Sequence, residues 1–232
     1  MLEIRKKDER GVADFGWLNS HHTFSFGGYH DQRYMGFGPL RVINEDRVAP
    51  ARGFDTHGHR DMEIISYVIS GEMLHEDTMG TVSTIRPGDI QLMSAGTGVR
   101  HSEYNASDEE DVHFLQIWVE PDTLNLKPSY EQKAFSDAEK TNSLRLVGSR
   151  DGREGSITIH QDVDLYAGIL EPGVQLQHVF SAARRGWLQL IRGEIDANGA
   201  KLSAGDGLSI QDTEILNLRG ITPADFLVFD MV

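Results

Sequence analysis

Apolar residues along this 232-residue chain fall in short runs, rich in β-branched and aromatic types, and not at the three-and-four spacing of an amphipathic helix. Leu40-Arg41-Val42-Ile43, Met62-Glu63-Ile64-Ile65-Ser66-Tyr67-Val68-Ile69, Phe114-Leu115-Gln116-Ile117-Trp118-Val119 and Leu188-Gln189-Leu190-Ile191 are examples. Runs of this kind, spaced roughly 8–12 residues apart between Gly, Asp, Asn or Pro, predict an all-β sandwich or barrel. The 24 glycines suit many tight turns. Helix is expected only in short pieces, around Asp137–Lys140 and near the N-terminus.

The pattern repeats. Tyr67-Val68-Ile69-Ser70-Gly71-Glu72 leads to Gly80 and then to Pro87-Gly88-Asp89. Leu190-Ile191-Arg192-Gly193-Glu194 leads to Gly199 and then to Ala204-Gly205-Asp206. The glycine offsets are 122, 119 and 117 residues, a drift that loop shortening explains. Chance likeness of glycine-rich turns is the alternative; the preferred reading is a duplicated β-barrel module, residues 1–125 and 126–232. Glu120–Lys140, with Pro121 and Pro128, reads as the linker, and Asp108-Glu109-Glu110-Asp111 as a solvated loop.

Composition narrows the function classes. Lys and Arg total 22 against 36 Asp and Glu, a net charge of −14, which disfavours direct nucleic-acid binding. No apolar run is long enough to span a membrane, and the charged start MLEIRKKDERG does not resemble a secretory signal. Without cysteine there are no disulfides, thiolate metal sites or thiol nucleophile. Cytoplasm is the expected compartment.

Two segments carry candidate chemistry. In a strand, residues i and i+2 share a face with Cα atoms about 6.6 Å apart, so His57 and His59 can converge on one ion. The same parity puts His101 and Glu103 on one face of another strand. Each pair alone is also consistent with a polar strand surface. The parity 57, 59, 61, 63 leaves Glu63 open as a further carboxylate. His75, His113 and His160 read as isolated strand histidines. His21 and His22, beside Phe24, Phe26 and Tyr29, read as packing or solvent-facing, and Trp17, Trp118 and Trp187 as core.

Taken together, His57-x-His59, the turns at Gly71 and Gly88, and Gly98-x-x-His101-x-x-x-Asn105 resemble the two-motif pattern of the cupin superfamily, small β-barrels that hold a divalent metal. A proline frequent before the second motif's glycine is here Gly96. The closer resemblance is to the pirin family. It rests on Gly16-Trp17-Leu18-Asn19-Ser20-His21-His22-Thr23-Phe24-Ser25-Phe26, Met35-Gly36-Phe37-Gly38-Pro39-Leu40-Arg41-Val42-Ile43-Asn44, His57-Gly58-His59-Arg60-Asp61-Met62-Glu63, Met93-Ser94-Ala95-Gly96-Thr97-Gly98-Val99-Arg100-His101-Ser102-Glu103 and Gln116-Ile117-Trp118-Val119. The resemblance implies two cupin-type barrels in tandem, a bicupin, with one metal in the first held by His57, His59, His101 and Glu103. Glu63 stays as an alternate or supporting carboxylate. The second half offers only Gln175-Leu176-Gln177-His178, and Leu218 where the His101 equivalent falls, so its barrel is expected to be metal-free.

Three imidazoles and a carboxylate suit Fe(II), Mn, Co, Ni, Cu or Zn. The resemblance favours Fe(II) and implies an activity of the quercetin 2,3-dioxygenase type: O2-dependent cleavage of a flavonol or similar enolised aromatic, with Glu103 or Glu63 taking the substrate's proton. The resemblance also implies an alternative from another class, a redox-sensitive regulatory protein acting through a protein partner; a metal-bearing isomerase or sugar-binding cupin is a third. With the reference imidazole pKa of about 6.5, metal loss is expected below about pH 6.

Overall fold

The computed structural model describes every residue from Met1 to Val232. It contains 22 strands, a four-residue α-helix at Asp137–Lys140 and two single 3-10 turns, at Lys7–Glu9 and Arg153–Gly155. The helix begins with a capping box between Ser136 and Glu139. No helix is long and apolar enough to cross a membrane.

The chain divides into two units, each built from two antiparallel sheets. The division is interleaved, which corrects the expected single cut at 125/126. The N-terminal unit comprises Gly11–Ala134 and Ile157–Gln161; the C-terminal unit comprises Met1–Arg10, Phe135–Ser156 and Asp162–Val232. Backbone pairing is the reason. Leu2–Arg5 adds to the edge strand Gly207–Ile210, and Asp206 fastens the following residues by accepting from Lys6 Nζ and the Lys7 N–H, both at 2.9 Å. Ser129–Ala134, placed in the linker from sequence, is a strand paired with Asp89–Ser94.

In the N-terminal unit a seven-stranded sheet runs Ser129–Ala134, Asp89–Ser94, Glu63–Ser70, Val112–Val119, Leu40–Val48, Leu18–His22, Gly11–Asp14. A four-stranded sheet runs Gly53–His59, Val99–Asn105, Met73–Asp77, Val82–Ile85. The C-terminal unit repeats the plan, with Gln175–Val179, Ile215–Gly220, Glu194–Ala197 and Ala200–Ser203 as its four-stranded sheet. The internal repeat is therefore structural. Its paired turn glycines share left-handed φ values: 75° and 77° at Gly71 and Gly193, 95° and 89° at Gly88 and Gly205.

The two interiors differ in kind. The C-terminal unit is filled by one apolar cluster that includes Leu188, Leu190, Leu216, Leu218, Phe226 and Val228. The N-terminal unit has one cluster around Val68, Met73, Ile85 and Phe114, and another around Ile64, Met93, Ala95 and Val99. In strand register the row Asn44, Gln116, Ser66, Gln91 runs across the seven-stranded sheet between those clusters, and all four side chains are buried. A polar layer thus interrupts the first barrel and is absent from the apolar cluster of the second.

The departure at Gly96 has a steric reason. Its φ is +43°, and a Cβ there would overlap the Leu126 carbonyl. Its own carbonyl accepts the Asp61 N–H at 2.9 Å, just ahead of the strand Val99–Asn105. We expect Gly96→Ala to destabilise the protein by about 2 kcal/mol or more, measured by denaturant unfolding; an unchanged midpoint would show that the turn can relax.

Candidate metal centre

His57 and His59 end one strand of the four-stranded sheet, and His101 lies on its neighbour in direct register with His57. Three imidazoles converge as a result: ring centroids are 4.5 Å apart for His57 and His101, 4.8 Å for His57 and His59, and 4.9 Å for His59 and His101. Candidate donor atoms of the three lie within 4.8 Å of one another. The His57 Nδ1–H donates to the Asp55 carbonyl at 2.8 Å, which leaves Nε2 as a bare lone pair. His101 is 1% exposed, and neither of its ring nitrogens has a hydrogen-bond partner.

Glu103 sits one layer further along the same strand, beyond a bulge in the pairing with Gly53–His59. It is buried. Its Oε1 accepts from Ser66 Oγ at 3.3 Å and from Gln116 Nε2 at 3.1 Å, and its Oε2 accepts from Gln116 Nε2 at 2.8 Å. The polar layer therefore fixes this carboxylate in the barrel interior. Glu103 forms a second donor cluster with His101 and His75, again within 4.8 Å. The structure thus joins His101 to both His57 with His59 and Glu103 with His75.

Glu63 is not part of either cluster. The strand from Gly53 stops at His59, and Asp61 adopts φ +48°, so the parity count from 57 does not reach 63. Glu63 starts a strand of the other sheet, where it accepts from Ser94 Oγ at 2.5 Å and from His160 N and Nδ1 at 3.1 Å each. His160, read as isolated, is its partner. Trp118, read as core, lies edge-on to His59 at 5.0 Å and to Phe26 at 5.3 Å, so it forms an aromatic wall beside the imidazoles. His22 is buried and packs edge-on against Phe26 at 5.4 Å, as expected.

Burial changes the protonation behaviour. Desolvation, followed by the neighbouring imidazoles His57 and His75, lowers the His101 pKa to about 3; desolvation, then His101 and His57, lowers that of His59 to about 4. These two rings stay neutral far below pH 6. Neutral imidazoles at His59 and His101, the latter buried with both nitrogens unpartnered, are donors that suit a borderline divalent cation.

Comparison with known proteins agrees. The Pirin family profile matches residues 4–119, and the profile for a quercetinase C-terminal cupin domain matches residues 146–231. The chain is 44% identical to the quercetin 2,3-dioxygenase of Escherichia coli, covering 100% of this chain and 99% of that one. The chain belongs to the pirin family. Among solved structures, Escherichia coli YhhW superposes with a TM-score of 0.97 at 44% identity, covering 100% of this chain and 98% of that one. The bacterial pirin YhhW in complex with nickel(II) gives 0.96 at 44% identity, covering 100% and 99%. A pirin-like protein of Caulobacter vibrioides is 35% identical over 99% of both chains.

Sequence reasoning missed two residues of this pirin's barrel. His75 stands opposite Glu103 across the strand pair, and only register reveals that. Asp46, paired with Ser20 and 4% exposed, has its pKa raised to about 7: burial raises it most, Ser20 opposes, and the charges of Glu103 and Glu45 add. A carboxyl whose folded pKa lies above its unfolded value favours folding while protonated and loses that advantage as pH rises through 7. Asp46→Asn should therefore stabilise the metal-free protein, on the order of 3 kcal/mol at pH 8 and less than half of that at pH 5, measured by denaturant unfolding at each pH. A gain equal at both values would mean that Asp46 does not titrate in this window.

Proposed function

We propose that this pirin is a metal-dependent dioxygenase of the quercetin 2,3-dioxygenase type, which cleaves a flavonol or similar enolised aromatic with O2. One divalent transition metal is held by His57, His59, His101 and Glu103, and Fe(II) is the physiological ion. Cytoplasm is the proposed compartment. The observation that carries this reading is the three-imidazole cluster, closed on its inner side by the buried and unpartnered His101, in a chain alike over its whole length to a quercetin 2,3-dioxygenase.

When bound, the metal acidifies a coordinated hydroxyl and brings an electron-rich substrate and O2 within reach of each other. The protein's own groups account for the rest. His57 is oriented by the Asp55 carbonyl, so its Nε2 lone pair is committed to the site. Ser66 and Gln116 hold Glu103 in one orientation, where its Oε2 accepts the proton of the substrate hydroxyl. Trp118, beside His59, and Phe26 offer apolar surface to an aromatic ring.

The test is direct. Protein loaded with Fe(II) is mixed with quercetin, and flavonol absorbance and headspace carbon monoxide are followed with and without O2. We expect O2-dependent loss of the flavonol band together with carbon monoxide release. His101→Gln should lower both metal content and rate at least about 100-fold, because it removes the donor shared by both clusters. Turnover no faster than free Fe(II) gives would overturn the activity, and a His101→Gln protein that keeps its metal would overturn the ligand set.

A further inference from the structure

His75 is fully buried, and nothing in the dioxygenase reading uses it. Its Nε2 lies 3.0 Å from Asp77 Oδ2. Asp77 Oδ1 accepts the backbone N–H groups of Met79 at 2.8 Å and Thr81 at 3.1 Å. A carboxylate only accepts, so His75 Nε2 carries the hydrogen and Nδ1 is a bare lone pair. That Nδ1 is buried and has no partner.

The neighbours leave one donor for it. The Tyr130 ring lies 4.9 Å from the His75 ring, but its hydroxyl donates to Gln132 Oε1 at 2.7 Å. Glu103 accepts through both oxygens. His101 remains, with a ring-centroid distance of 5.4 Å from His75 and two unpartnered nitrogens. An imidazole that gives one nitrogen to a metal has one N–H left, and in metalloproteins that N–H finds an acceptor.

We infer that His75 is a positioning residue for the metal centre: when an ion is bound, its Nδ1 accepts the N–H of the His101 nitrogen turned away from the ion, and Asp77 fixes the tautomer that makes this possible. One bound ion then gives a partner to three buried ring nitrogens, two of His101 and one of His75. The inference rests on the metal-site reading above and extends it to a chain Asp77, His75, His101.

Zinc is the probe, because it is diamagnetic and needs no turnover. Affinity is measured on the full chain by competition with a chromogenic chelator, with circular dichroism melts as the check on folding. His75→Leu should bind zinc about 10–100-fold more weakly than the parent, and Asp77→Asn should lose affinity in the same direction by allowing the wrong tautomer. His75→Asn, whose Oδ1 takes the place of Nδ1, should stay within about threefold. Long-range proton–nitrogen spectra of the zinc-loaded parent should show His75 protonated at Nε2 and metal-free at Nδ1, with His101 bearing zinc on one nitrogen and hydrogen on the other. A zinc shift on His75 Nδ1 would make it a ligand and overturn the proposal. So would undiminished affinity in folded His75→Leu, or a loss in His75→Asn equal to that in His75→Leu. A parent that binds no zinc would bring down the metal reading itself, whereas a parent that binds while His75→Leu matches it would remove only this extension.

Discussion

The cross-strand pairing of His57 with His101 is the constraint on which the site depends. Both strands are antiparallel members of the same four-stranded sheet, and register puts these residues opposite each other. Because side chains alternate faces along a strand, a slip of the Val99–Asn105 strand by one residue would send His101 and Glu103 out of the barrel. His59, Glu103 and His75 follow from that one pairing: the first by parity along its strand, the second by parity along the neighbour, the third by facing Glu103 on the next strand. No loop supplies a donor to either cluster, which gives the constellation the rigidity that ion binding benefits from.

Such a site has a cost that the second barrel shows by contrast. Both units share a strand plan and matched turn glycines, yet only the first carries a polar layer across its interior. Several of its buried side-chain atoms lack protein partners, among them Asn44 Oδ1, Asp46 Oδ1 and Gln91 Oε1. Unsatisfied polar atoms in a core are each worth on the order of 1–3 kcal/mol against folding. Strand register puts Leu216 where His101 stands in the first barrel and Leu218 where Glu103 stands, and both pack into a continuous apolar cluster. The duplicated fold therefore separates its tasks: one copy accepts strain in its interior for the sake of a site, and the other supplies ordinary hydrophobic stability.

Much of this was legible in the residues. Short β-branched runs and turn glycines pointed to the all-β barrels, and His57-x-His59 with His101-x-Glu103 pointed to the cluster, because strand parity is a local rule. What was not legible depends on pairing between distant segments. His75 looked isolated since its partner is 28 residues away and visible only in register. Glu63 looked eligible because parity was carried through Asp61, where a left-handed backbone in fact ends the run and delivers Glu63 to the other sheet. The domain limits were misjudged for the same reason: an edge strand such as Leu2–Arg5 joins whichever sheet has an open edge, wherever it lies in the chain.

Burial acts on the titratable groups of the first barrel in opposite directions, and that opposition is itself informative. The same loss of water that drives His59 and His101 toward neutrality drives the carboxyl of Asp46 to hold its proton. Reference pKa values therefore mislead inside this barrel in both directions, toward too much positive charge on the imidazoles and too much negative charge on Asp46. At neutral pH the metal-free interior has fewer charges than its residue list implies. With His59 and His101 uncharged, the interior lacks the positive charge on those two rings that would repel a dication. The desolvation that makes the site expensive to fold is thus also what leaves its donors free to bind.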